Sequence, residues 1–451
     1  MEYDVAIIGG GPAGYSAAES LMKAGKSVVL FEKENMGGVC LNEGCIPTKT
    51  LLFSAKLLEG AKLNSKYGIV TPEVSFDFSK IMGRKSKVVR KLVLGIKAKL
   101  KSPLIEIVNG EATICTPHLI TCDEQAYPCK SLLLCMGSST AIPPIDGLDQ
   151  VDYWTHKEAL STKEVPASLL VMGGGVIGME LAAFYNAMGT AITVVEMLPE
   201  IVTGMDAELS ALLRETYSKK GIKFLLSTKV TSVKSVGESV EITCQNEAGV
   251  HTLVADKLLV STGRRANHSA SGLLSLPLER TDKDHLVVDK HMETSIKGVY
   301  ACGDITGQSM LAHTATREAD VAVHAILGIP DEMSYTTIPA VVYTHPEFSA
   351  VGATEDYLLQ NNIPYRCVKI PMSFSGRFVV ENEGANGVCK LLIGEDTVLL
   401  GAHLLGGPSS ELISIAAMVI EQQMTLSDWK RMVFPHPSVS EIFKEAINTI
   451  N

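Results

Sequence analysis

The chain of 451 residues is long enough for about three domains at roughly 150 residues each. Its 46% apolar and 20% charged content excludes a disordered chain, and 40 Lys and Arg against 50 Asp and Glu leave a net charge of −10, which argues against a broadly basic nucleic-acid surface. No apolar run reaches the ~18 residues of a bilayer span, and the opening Met1-Glu2-Tyr3-Asp4 is acidic where an export signal is basic, so a cytoplasmic protein is expected.

In chain order, Asp4 to Ile8 predicts a short apolar strand, followed at once by Gly9-Gly10-Gly11-Pro12-Ala13-Gly14, a helix over Tyr15 to Ala24, a strand over Ser27 to Phe31, and Glu32 closing it. This is a GxGxxG fingerprint in the context it requires: the glycines admit a pyrophosphate to backbone N–H groups at a helix N-terminus, and the acid accepts from a ribose diol. The same device returns as a strand over Leu169 to Met172, Gly173-Gly174-Gly175-Val176-Ile177-Gly178, a helix from Met179, a strand over Ala191 to Val195, and Glu196. Gly9 to Glu32 spans 23 positions and so does Gly173 to Glu196, which implies two separate dinucleotide sites. An enzyme with two such sites most simply moves electrons between two cofactors. Glu196 is followed by Met197 and no Arg, which favours the free ribose of NAD over NADP. The first site runs directly into a cysteine pair, which makes flavin its natural occupant.

That pair lies in Gly37-Gly38-Val39-Cys40-Leu41-Asn42-Glu43-Gly44-Cys45-Ile46-Pro47-Thr48-Lys49. In an unbroken helix the Cα atoms of residues i and i+5 lie about 8.6 Å apart, whereas a disulfide needs less than about 7 Å. A bridge therefore requires a distorted helix, for which Gly44 and Pro47 supply the means. The other eight cysteines are scattered and read as small core side chains, without metal-ligand spacing. Phe78 to Leu100 is a basic, helix-like stretch whose Lys and Arg read as a solvated face. Strands are expected over Glu106 to Thr121 and Leu132 to Met136, and Val299 to Ala301 leads through Cys302-Gly303 into Asp304, suited to a cofactor hydroxyl. From Thr336 onward the pattern becomes α+β, with strands near Ala340–Tyr343, Cys367–Pro371, Gly387–Ile393 and Val398–Leu404 and then helices. His436 stands before a proline, where a lone His is usually a loop residue, but Glu441 five positions on and the cysteine pair favour a catalytic reading. His118, His251, His268, His285 and His291 lack such company and read as surface or packing residues.

The Cys40-to-Lys49 segment, both fingerprints, Ala301-Cys302-Gly303-Asp304 and His436-Pro437-Ser438-Val439-Ser440-Glu441 together resemble the FAD-dependent pyridine nucleotide–disulfide oxidoreductases, over essentially the whole chain and in that family's order. Met310-Leu311-Ala312-His313, Tyr343-Thr344-His345-Pro346-Glu347, Gly401-Ala402-His403-Leu404-Leu405-Gly406 and Glu196 resemble the branch that oxidises the dihydrolipoyl group of a carrier protein and reduces NAD. The resemblance implies an α/β fold of two Rossmann-like dinucleotide-binding domains, for FAD and NAD, plus a C-terminal α+β dimerisation domain. The implied boundaries are 1–145 for the FAD domain with its redox disulfide, 146–266 for the NAD domain, 267–335 for a central segment completing the FAD domain, and 336–451 for the interface domain.

It further implies that Cys40 meets the substrate and Cys45 the flavin, that Lys49 lies near the flavin paired with Glu180, and that His436, oriented by Glu441, is the acid/base lent by the partner subunit of a homodimer with shared sites. FAD contacts would come from Gly9, Gly11, Pro12, Ala13, Gly14, Glu32, Lys33, Gly38, Val39, Cys40, Lys49, Ala112, Gly137, Ser138, Asp304, Met310, Leu311, Ala312 and His313. NAD contacts would come from Gly173, Gly175, Val176, Ile177, Gly178, Glu180, Glu196, Val230 and Gly263. A cis bond between His436 and Pro437 is also implied. The chain departs from the family pattern at Phe434, Met136 and Ser438, where His, Thr and Thr are usual.

The partner implied is a lipoyl-bearing carrier protein of a 2-oxoacid dehydrogenase or glycine-cleavage system, with no nucleic acid, membrane or metal. The alternatives are another NADH-dependent FAD disulfide reductase or diaphorase, and a non-catalytic nucleotide-sensing partner. Glutathione reduction is disfavoured by Glu196 without a following Arg, and mercuric-ion reduction by an end at Asn451 without a cysteine pair. The complete set of Cys40, Cys45, His436 and Glu441 argues against the non-catalytic reading.

Overall fold

A computed structural model describes residues 2–268, 272–382, 384 and 386–450. Met1 and Asn451, used above, lie outside the described residues. The chain divides into two compact units, one of Met1–Thr50, Ser79–Ala141 and Gly263–Tyr335, the other of Leu51–Phe78, Ile142–Thr262 and Thr336–Asn451.

The first unit is built on a sheet in which parallel strands Ile105–Asn109, Val28–Glu32, Tyr3–Ile8, Gln125–Leu134 and Val299–Ala301 lie side by side in that order. Tyr3–Ile8 and Val28–Glu32 are apolar runs of Val, Ile, Leu and Phe, as strands covered on both faces must be. Pro12 opens the helix Pro12–Lys23, where its fixed φ and missing N–H cost nothing. That helix leads from Tyr3–Ile8 to the strand on one side, while Gln125–Leu134 pairs on the other. The order therefore reverses at Ile8, and the crevice at the carboxyl ends of the strands is the ligand-binding edge of such a sheet. Gln125–Leu134 also continues as an antiparallel meander with Leu119–Cys122 and Thr113–Thr116, so the expected long strand from Glu106 is three short ones.

In the second unit the parallel strands Lys223–Leu225, Ala191–Val195, Ser168–Met172 and Lys257–Val260 repeat this arrangement, with the helix Val176–Ala187 following the fingerprint. A three-stranded antiparallel sheet over Lys229–Val236, Ser239–Asn246 and Gly249–Ala255 was not foreseen. Its inward residues Val230, Val233, Val240 and Ile242 join a core with Leu170, Met172 and Leu258. The region after Thr336 is a five-stranded antiparallel sheet in the order Ala340–Val342, Phe348–Gly352, Leu399–Leu405, Val388–Gly394, Tyr365–Pro371. The helices Ser409–Glu421 and Glu441–Asn448 close it, burying Phe443 and Trp429 with Leu391 and Leu404. The sequence pattern marked four of these strands; Phe348–Gly352 was missed. Among the described residues no helix is long and apolar enough to cross a membrane.

Candidate active site

The two fingerprints fold into the same atomic arrangement. Gly9 N–H donates to Phe31 O at 2.9 Å and Gly173 N–H to Val195 O at 2.9 Å. Glu32 accepts from Gly10 N–H at 2.8 Å and Glu34 N–H at 2.7 Å, and Glu196 accepts from Gly174 N–H at 2.6 Å and Leu198 N–H at 2.8 Å. Each acid thus ties the strand end to the glycine turn, a duty the sequence reading did not assign, and retains lone pairs for a ribose diol. A Cβ on Gly14 would strike the carbonyl of Gly9, and one on Gly178 that of Gly173, so these glycines serve helix–strand packing.

Gly11 and Gly175 are different. Both sit at helix N-caps in extended conformations (φ −74° and −69°) that any residue adopts. A Cβ on Gly11 would meet only Gly38 Cα, at 3.9 Å, and one on Gly175 nothing within 4 Å. Neither backbone strain nor protein crowding calls for glycine there. The space suits a ligand approaching the backbone, and the amides behind it lack any side-chain cap, as an anion site requires. FAD and NAD pyrophosphates fit these two cradles. Pro12, Ala13, Val176 and Ile177 form the first turns of the two helices.

Lys33 pairs with Glu111 at 3.4 Å, and Ala112, next in sequence, is buried. Gly38 opens the short helix Gly38–Glu43, which carries Val39 and Cys40. This helix stops at Gly44 (φ −134°, ψ −106°), and a new helix, Cys45–Lys62, begins at once. The break is at Gly44 alone. Pro47 falls in the first turn of the second helix, where no intrahelical donor is missed, so it does not distort the segment as expected. Across the break Cys40 and Cys45, both thiols here, are hydrogen-bonded to each other. The hydrogen bond to Cys45 and then burial hold the Cys40 thiol well above its usual range, while the charge of Lys49 opposes this.

Two sheet ends converge nearby. Gln125–Leu134 runs on to Gly137 and Ser138, and Val299–Ala301 runs on to Asp304. Ser138 Oγ donates to Asp304, and Arg264 donates through Nε to Ser138 Oγ at 2.7 Å and through Nη2 to Ser138 O at 2.6 Å. Arg264 was missed by the sequence reading. It is mostly buried, lies 3.8 Å from Asp304, and its charge acts on Cys45. Lys49 and Arg264 thus bring cationic charge to the cysteine pair, which favours thiolate, against the hydrogen bond and burial that hold the Cys40 thiol up. Gly263, just before it, accepts from Ala141 N–H at 3.0 Å. Met310 and Leu311 lead into the uncapped start of the helix Ala312–Leu327, which places Ala312 and His313 in its first turn.

Beneath this loop the fully buried Glu318 accepts from Gly303 N–H at 2.5 Å and from Tyr335 OH at 2.7 Å. Burial pushes its carboxyl up from 4.5 to about 7. The folded state therefore binds a proton that the unfolded state has released between these values. Stability from this group is complete below pH 4.5 and is lost as pH rises through 7, by about 3 kcal/mol in all. Glu318→Gln, neutral at every pH, is expected to remove this component, read as the difference in unfolding free energy between variant and wild type at pH 5 and pH 8.5. A difference independent of pH would refute the assignment.

In the second unit Glu180 is buried on the helix Val176–Ala187 and accepts from Tyr343 N–H at 2.9 Å. The Val230 side chain is in the core and its residue pairs with Cys244 in the antiparallel sheet, so the expected NAD contact has no counterpart among its side-chain atoms. His436 Nδ1 is 2.9 Å from Glu441 Oε1, and Glu441 Oε2 also accepts from Ser438 N–H at 2.9 Å. These bonds, the backbone one first, hold Glu441 below the usual carboxylate range. The imidazole side chain is 80% exposed, so Nε2 is available to a substrate, and the His436–Pro437 bond is cis. Phe434 packs its ring against the hydrophobic core, and Ser438 Oγ pairs with Ser440 Oγ at 2.8 Å.

Residues 3–319 match the family model for pyridine nucleotide-disulphide oxidoreductases, and residues 338–447 match the dimerisation domain of the same family. The chain belongs to this family. The oxidoreductase is similar to a dihydrolipoyl dehydrogenase of Geobacillus stearothermophilus (34% identity, 99% of this chain and 96% of that one) and to another of Bacillus subtilis (35%, 99% and 96%). Among solved structures it is similar to an HOCl-induced flavoprotein disulfide reductase of Escherichia coli, with a TM-score of 0.89 and 26% identity over 100% of both chains. As a member of its family the oxidoreductase uses FAD and NAD.

Proposed function

We propose that the protein is a dihydrolipoyl dehydrogenase, which oxidises the dihydrolipoyl group of a carrier protein and reduces NAD. The observation that carries this reading is the broken helix after the first cradle, which brings Cys40 and Cys45 into contact beside cationic Lys49 and Arg264. The similarity to dihydrolipoyl dehydrogenases over 99% of the chain supports it.

In the oxidised enzyme Cys40 and Cys45 form a disulfide. His436 Nε2 accepts the proton of the first substrate thiol, and the resulting thiolate attacks Cys40 Sγ. A mixed disulfide forms and Cys45 leaves as a thiolate, stabilised by the nearby cations. The second substrate thiol attacks the substrate sulfur of that mixed disulfide and closes the lipoyl ring, and its proton passes to the departing Cys40 sulfur, so that one substrate proton ends on His436 and the other on Cys40. Glu441 keeps the imidazole in one tautomer and stabilises its cation. FAD, which the cradle at Gly11 with Glu32 would hold, would supply an acceptor for the electron pair of the reduced cysteines, and NAD, which the cradle at Gly175 with Glu196 would hold, would supply the final acceptor of that pair as hydride.

The working unit is a homodimer with His436 lent across the two-fold axis. The dimerisation-domain match supports this, as do apolar side chains left in water on the single chain, Val433 (93% exposed), Val380 (71%) and Met418 (60%) among them. The enzyme acts in the cytoplasm on the lipoyl arm of a 2-oxoacid dehydrogenase or glycine-cleavage carrier. The test is NAD reduction by free dihydrolipoamide, with glutathione disulfide plus NADPH as control. Activity with the second pair and none with the first would replace this reading with that of a general disulfide reductase.

NAD is selected over NADP by Glu196. Its neighbour Met197 is 67% exposed and accepts a longer side chain without repacking. Glu196→Ala with Met197→Arg is expected to raise the NADP-to-NAD ratio of kcat/KM at least tenfold, with lower overall activity because two backbone hydrogen bonds to the carboxylate are lost. Steady-state kinetics with both nucleotides measure it, and an unchanged ratio would count against the role of Glu196.

A further inference from the structure

The helix Phe78–Lys99 stands apart electrostatically from the rest of the molecule. It contains eight Lys and Arg and no acid, in a chain of net charge −10, and none of its residues is buried. Lys80, Arg84, Lys87 and Lys91 follow one another at intervals of four, three and four. At 100° per residue these four fall within an arc of about 60°, a stripe about 16 Å long. Like charges at such spacings weaken a helix by roughly 0.2–0.5 kcal/mol per pair, so helix stability does not account for the stripe.

Its place in the fold does. Arg84 Nη1 donates to the carbonyl of Thr50 at 3.1 Å, and Thr50 lies five residues after Cys45 on the helix Cys45–Lys62. The basic helix is thus fastened to the helix that carries the redox pair. The geometry points to this stripe as the docking surface for the carrier domain that delivers the dihydrolipoyl arm, engaging an acidic face of that domain. This rests on the dihydrolipoyl dehydrogenase reading above. A cationic stripe attracts an acidic domain from a distance and holds it while the arm reaches Cys40, and salt screens such attraction beyond about 10 Å at 0.1 M. A nucleic acid is the poorer occupant, because the remainder of the chain is acidic and repels a long polyanion.

The test uses the full-length FAD-loaded enzyme, wild type and Lys87→Glu/Lys91→Glu, both positions being exposed and outside the catalytic set. The probes are free dihydrolipoamide and a purified, reduced lipoylated domain of net negative charge. The double variant is expected to lose at least tenfold in kcat/KM for the domain and to remain within twofold of wild type for free dihydrolipoamide. Raising salt from 0.05 to 0.3 M should slow the wild type on the domain and leave the variant nearly unaffected. Equal losses on both probes, or an unchanged rate on the domain, would overturn the docking role. So would loss of heparin retention in the variant with unaltered domain kinetics, which would assign the stripe to another polyanion. Failure of the wild type to oxidise free dihydrolipoamide would remove the parent reading and this one with it.

Discussion

Dihydrolipoamide oxidation is expected to fall by about 10²- to 10⁴-fold when His436 is replaced by Ala, the usual worth of a positioned acid/base. The bond between His436 Nδ1 and Glu441 Oε1, at 2.9 Å, predicts a smaller loss for Glu441→Gln, which keeps the shape and removes the charge. Complementation reveals whose histidine serves which cysteines. Cys45→Ser and His436→Ala chains, each inactive alone, are dissociated and remixed in equal amounts. In a mixed dimer with shared sites, one site carries both lesions and the other neither. Random pairing makes about half the dimers mixed, so about a quarter of the wild-type sites become live. No recovery, with mixed dimers shown to form, would mean that each chain uses its own histidine.

Replacing either cysteine is expected to reduce dithiol oxidation below about a thousandth of wild type, because neither the mixed disulfide nor its resolution is possible without both sulfurs. The two are not equivalent. In the proposed mechanism Cys40 is the sulfur attacked by substrate, yet its hydrogen bond to Cys45 and its burial favour its protonated form. Its reactivity should therefore depend on a base. With the reduced enzyme, limiting iodoacetamide is expected to label Cys40 ahead of Cys45 in the wild type and to lose that preference in His436→Ala. Peptide mapping that finds Cys45 labelled first in the wild type would reverse the two roles.

The parts of the site that could be read in advance are local in sequence. The 23-position interval from Gly9 to Glu32, repeated from Gly173 to Glu196, reappears as matched hydrogen bonds because strand, turn and helix follow one another directly. The cysteine segment was legible for the same reason, although the break falls at Gly44 and owes nothing to Pro47. Arg264 was not legible. It reaches Ser138 from 126 positions away, and Ser138 reaches Asp304 across 166. The pairing of Gln125–Leu134 with Val299–Ala301 brings Ser138 to Asp304, the antiparallel pairing of Arg264–Ala266 with Ser138–Thr140 brings Arg264 to Ser138, and no spacing rule announces either. Glu318 was invisible in the same way: in sequence it is one acid on an amphipathic helix, and its burial depends on Gly303 and Tyr335.

The interrupted path of the chain through its first unit has a consequence for synthesis. The sheet begun by Tyr3–Ile8 is not complete until Val299–Ala301 has been made, whereas the sheet of Ser168–Met172, Ala191–Val195, Lys223–Leu225 and Lys257–Val260 is complete by residue 260. At about 5–20 residues per second on the ribosome, roughly 15–60 s separate the opening strand from the last strand of its sheet, which is the edge partner of Gln125–Leu134. The second nucleotide fold therefore matures before the first, reversing the usual N-terminal-first order. Nascent chains stalled with residue 262 just emerged should resist proteolysis over 168–260 while the Gln125–Leu134 strand, still lacking Val299–Ala301 at its edge, is cut. In the cell that open edge is where a chaperone has reason to wait.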